Sequence, residues 1–156
     1  MTCETRHIHN SDCLDWLDER GRLRTCHNMI LYFMGDFGRA HLWTGAMKLA
    51  RLAPHLHELD TAVVLVGAAP DGDPDRLSAA ATLAEELALP FPLIADTQGI
   101  LWRRYAAAAL SPGGGQAGLV LVDGCGRPLA CWPLRAPEQR LDVADLLAVL
   151  RELVTA

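Results

Sequence analysis

No apolar run in this 156-residue chain is long enough to span a bilayer. Cys-x-x-Cys is also missing, which removes the simplest dithiol redox motif and the commonest zinc-knuckle motif together. Positive charge is scarce: Lys and Arg number 14 against 19 Asp and Glu, for a net charge of −5. Nucleic acid and anionic membranes call for clustered positive charge, so neither is expected as a partner. The opening MTCETRHIHNSDC is polar and has no signal-peptide core, so export is not indicated. Five cysteines, odd in number and irregularly spaced, do not form a secreted disulfide framework. A reducing cytosol is therefore the expected setting.

The chain does carry a strong apolar pattern, with 51% hydrophobic and 21% charged residues in a length that suits one domain with a full core. Residues 1–28 read as a lead-in with a small hairpin, Gly21 in its turn, and residues 29–156 as the main domain. Ile30 to Met34 is a strand of the type buried on both faces of a sheet. The following run places Leu42, Ala46, Leu49, Ala53 and Leu56 on one helical stripe, with Pro54 expected to kink the helix without ending it. Ala62 to Ala68 forms the next strand. Asp73 and Pro74 then open a helix that runs to about Leu87. After LPFPLIAD comes a short helix from about Gly99 to Ala108 and a glycine-rich loop at 111–116. LVLVD and LACW pair as an antiparallel hairpin, and a last helix is expected after Ala136 with Pro137 at its first position. Alternating strand-helix units followed by an antiparallel pair make an α/β protein with a mixed central sheet and helices on both faces.

Good metal ligands are concentrated near the N-terminus, where Cys3, His7, His9, Cys13, Cys26 and His27 lie close in sequence. His7, His9 and Cys13 are the set to test, although their spacing matches no closed motif. Asp71, Asp73 and Asp75 alternate as a helix-capping cluster and lack the distal glutamate of a calcium loop. His55 and His57 are expected to face solvent, and Trp102 to pack while Arg103, Arg104 and Tyr105 share its short helix.

LPFPLIADTQG is similar to the segment "GLPFPLLSDPDG" of the alkyl hydroperoxide reductase/thiol-specific antioxidant branch of the peroxiredoxins. QAGLVLVDGCGRPLACW resembles that family's closing hairpin with its Asp-x-x-Gly turn. The likeness runs from Leu31 to Trp132 and implies a thioredoxin-like fold of the peroxiredoxin type. It also implies a Pro-x-x-x-Thr/Ser-x-x-Cys loop after the first core strand, and here the chain departs from the pattern. The nucleophile position falls on Leu42 or, shifted by one, His41. The helper position falls on Gly38 or Arg39, the loop proline near Met34 or Gly35 is missing, and the family's arginine ahead of the hairpin corresponds to about Gln116.

Peroxide reduction needs a thiolate that attacks the O–O bond and becomes a sulfenic acid. Neither leucine nor imidazole does this. The resemblance therefore implies a peroxiredoxin-like chain without the usual thiol site and without a cofactor. The expected role is binding a protein partner or small ligand at residues 35–44, with Arg39, His41, Trp43 and Thr44 as candidate contacts. Family members commonly dimerise nearby, so a homodimer is a further expectation. The alternative is a thiol-dependent antioxidant peroxidase using a relocated cysteine, Cys125, Cys131 or Cys26, with Cys125 and Cys131 near enough in sequence for pairing to be considered. A second alternative is an N-terminal metal-binding module.

Overall fold

The structure is a computed structural model. It describes residues 9–12, 28–35, 37–67, 74–96, 99–107, 117–134 and 141–155, with the side chains of 9–12, 74–77 and 154–155 excepted. The expected hairpin around Gly21, the capping residue Asp73 and the loop 111–116 lie outside the described residues.

Six strands form one sheet: β1 (His9–Asp12), β2 (Asn28–Met34), β3 (Thr61–Gly67), β4 (Leu93–Ala95), β5 (Ala117–Val122) and β6 (Pro128–Pro133). Their spatial order is β1-β4-β3-β2-β5-β6. The first four run parallel, and β5 and β6 are antiparallel additions on the other side of β2. This is the mixed α/β sheet that the alternating pattern implied. The edge strand β1 was not expected, because HNSD has no apolar alternation. Its backbone nonetheless pairs with β4, His9 opposite Leu93 and Asp12 opposite Ala95.

β2 sits between β3 and β5 and splits its side chains by parity, as a strand must. Ile30, Tyr32 and Met34 join the core on one face, while Met29, Leu31 and Phe33 join the core on the other. The first face is covered by α1 (Ala40–Arg51), α2 (Ala53–Glu58), α3 (Pro74–Glu86) and α4 (Val143–Thr155), which contribute Leu42, Leu49, Leu56, Ala84, Leu146 and Leu150 among others. The second face is covered by a π-helical turn, Trp102–Ala106, whose Tyr105 and Ala106 are buried with the preceding Leu101.

Helix boundaries follow local hydrogen bonding. The long stripe breaks at Leu52, two residues ahead of Pro54, and resumes in α2. Proline has no N–H to give the Ala50 carbonyl, and the last turn tightens, the Leu52 N–H donating to the Leu49 carbonyl at 3.0 Å. Leu56 remains buried past the break, so the stripe continues although the regular helix does not. The described last helix starts at Val143: Leu141 and Asp142 are non-helical, the Asp142 carboxylate accepts the Asp145 N–H at 3.1 Å, and Pro137 lies outside the described residues. An aspartate therefore caps this helix. Between β4 and the π-helical turn, the buried Asp96 carboxylate accepts the N–H groups of Leu101 at 3.1 Å and Trp102 at 2.9 Å. That satisfies the donors that a helix start leaves open.

α1 is fastened to β2 by Tyr32, fully buried, whose hydroxyl donates to the Leu42 carbonyl at 2.7 Å. Burial pushes the phenol well above its usual range. Gly45, one turn further along α1, is the position where a Cβ would collide with that hydroxyl. Helix propensity favours alanine over glycine by about 1 kcal/mol, so the glycine is explained by tertiary fit. Gly45→Ala is expected to destabilise the protein by about 1–3 kcal/mol through overpacking. Urea unfolding should show most of that loss recovered when Tyr32→Phe is added, and an equal cost in both backgrounds would remove the contact as the cause.

Candidate functional site

The carboxyl ends of β2, β3 and β4 meet at one rim of the sheet, the usual place for ligands in open α/β sheets. The chain leaves β2 through Gly35 at φ 60° and reaches Phe37 at φ 66°. A left-handed backbone is unremarkable for glycine but costs a bulky residue roughly 1–2 kcal/mol. Phe37 is held first by a local turn bond, its N–H donating to the Met34 carbonyl at 3.1 Å, and then by tertiary contacts. Its carbonyl accepts the Trp43 indole N–H at 2.9 Å, and its ring tilts against that of Trp43, centroids 6.1 Å apart. The ring also lies over Gly67 at the end of β3, where any Cβ would collide with it. Two hydrogen bonds at about 1 kcal/mol each and one aromatic pair at about 0.5–1.5 kcal/mol outweigh the backbone cost.

The four candidate contact residues are turned in different directions. Trp43 is packed into the core and Leu42 is fully buried beside it. Arg39 is exposed and is the N-cap of α1, where its side chain makes no capping bond. Thr44 is exposed, and its hydroxyl donates to the Ala40 carbonyl of its own helix at 3.3 Å. His41 is half-buried in the first turn, and its Nε2 is sealed from solvent without a hydrogen-bond partner. Leaving such an atom unsatisfied costs about 1–3 kcal/mol. No carboxylate stands in the first turn of α1.

Cys125 and Cys131 are exposed, free thiols. Cys125 lies in the β5–β6 turn. Ala117 pairs with Met34 and Val122 with Met29, so that turn is at the far end of the sheet from Phe37. Five residues of strand separate the two ends, about 17 Å. Cys131 lies on edge strand β6 opposite Val120. Along the strand it is about 13 Å from the turn, beyond the Cα reach of a disulfide with Cys125. Cys26, Gln116, His7 and Cys13 lie outside the described residues, as do Cys3, His27 and Asp71. His9 is described only through its backbone in β1. Among the described residues no three His, Cys, Asp or Glu side chains cluster to hold a metal, and no helix is long and apolar enough to cross a membrane. His55 and His57 are exposed on α2, as are Arg103 and Arg104 on the π-helical turn. Trp102 is half-buried and packs edge-on to Phe33 at 5.6 Å.

Sequence reasoning missed Phe37, Gly67, Tyr32 and Gly45. The one signal for Gly67 was a strand ending in a small residue. The partnership with Phe37 spans thirty positions and leaves no local pattern.

No protein-family model matches the chain, and no curated protein matches it. Solved structures do. Peroxiredoxin Q of Xanthomonas campestris is 17% identical with a TM-score of 0.62, covering 84% of this chain and 82% of that one. The bacterioferritin comigratory protein of the same organism, described for alkyl peroxide reduction activity, is 17% identical with a TM-score of 0.61, covering 84% and 82%. A secreted disulfide oxidoreductase of Mycobacterium tuberculosis, homologous to DsbE of E. coli, is 16% identical with a TM-score of 0.58, covering 83% and 84%. At this level of identity the likeness establishes the fold: the chain has the thioredoxin-like fold also found in these peroxiredoxins and this disulfide oxidoreductase.

The β5–β6 turn that carries Cys125 is organised by Asp123. One carboxylate oxygen accepts the N–H groups of Cys125 and Arg127, each at 2.9 Å, and the other pairs with the Arg127 guanidinium at 3.1 Å. Partial burial pushes this carboxyl up, but the two N–H bonds and the guanidinium outweigh it and hold the group below the usual carboxylate range. A depressed carboxyl contributes stability while ionised and loses it on protonation. The contribution of Asp123 is therefore expected in full at neutral pH and lost as pH falls below about 4. Urea titrations of wild type and Asp123→Ala should converge in acid and separate at pH 7.

Proposed function

We propose that this thioredoxin-fold chain has lost the thiol-peroxidase site and acts without catalysis, binding a protein partner or small ligand through residues 35–44. The observation that carries the reading is the makeup of that loop and the first turn of α1. Residues 35–44 contain no sulfur, and where the resembled motif would place a thiolate stand a half-buried imidazole and a core leucine. The attacking atom must reach a peroxide oxygen, take it up as a sulfenic acid and release water or alcohol. Carbon cannot, and imidazole has no recycling step. The two described thiols are at the opposite end or outer edge of the sheet, far from the dipole of α1 that would favour a thiolate.

The same reading places the protein in a reducing cytosol, where exposed free thiols persist. It treats a homodimer near this rim as an arrangement to be measured by sedimentation. Exposure of Cys125 and Cys131 favours the relocated-thiol peroxidase as the second reading.

A peroxide-consumption assay with dithiothreitol as reductant separates the two. Turnover is expected to equal that of a variant with all five cysteines changed to serine. Turnover above that level that disappears on Cys125→Ser, Cys131→Ser or Cys26→Ser alone would overturn the non-catalytic reading. Elemental analysis of the purified protein tests the N-terminal metal alternative, which needs a stoichiometric ion.

A further inference from the structure

We draw no further inference here: the strongest candidate, the His41 side chain in the first turn of α1, whose Nε2 is closed off from water without a hydrogen-bond partner, belongs to the site already described, and with the imidazole only half-buried nothing in the structure points to a ligand at that helix start.

Discussion

Strand β2 has no side open to water, and much of the fold follows from that. Parallel β3 and antiparallel β5 use its backbone on both edges, and its side chains divide between two cores. A strand so enclosed cannot slip by one residue without exchanging its two faces, which fixes where its carboxyl end delivers the chain. The Tyr32 hydroxyl then reaches out of the sheet to a carbonyl of α1, and Gly45 lets the helix come that close. The position of the first helical turn, where a thioredoxin-like protein keeps its chemistry, is thus set by contacts made well inside the domain.

The scaffold and the reactive group are separable in this arrangement. The contacts described between α1 and the sheet are made by Leu42, Gly45, Ala46 and Leu49, one turn and more beyond the start of the helix. The loop has packing of its own: a phenylalanine against a tryptophan and a glycine, and a histidine nitrogen closed away from water. An unsatisfied buried nitrogen is a cost that a purely structural residue could have avoided.

Most of the fold was legible along the chain. β2 and β3 announce themselves as unbroken apolar runs, α1 by its stripe, and the closing hairpin by its glycines. The failures are instructive. HNSD has no apolar alternation, and β1 is an edge strand whose pairing with β4 that pattern did not announce. The Asp142 carboxylate that caps α4 was not singled out in the sequence, since one aspartate ahead of an apolar stripe is a common pattern. At the candidate site, the lack of a cysteine could be read directly. The roles of Phe37, Gly67 and Gly45 could not, because each depends on a neighbour from a distant segment, and a glycine chosen for fit looks the same in sequence as one chosen for a turn.

β6 closes the sheet opposite β1, and it begins and ends in proline, Pro128 and Pro133. Neither terminus of that outer strand can donate a backbone hydrogen bond. A foreign chain approaching this margin would find a ladder missing its end rungs, too short to nucleate lateral growth. An exposed leucine and a free thiol can thus sit on the rim of the molecule without making it a seed for aggregation.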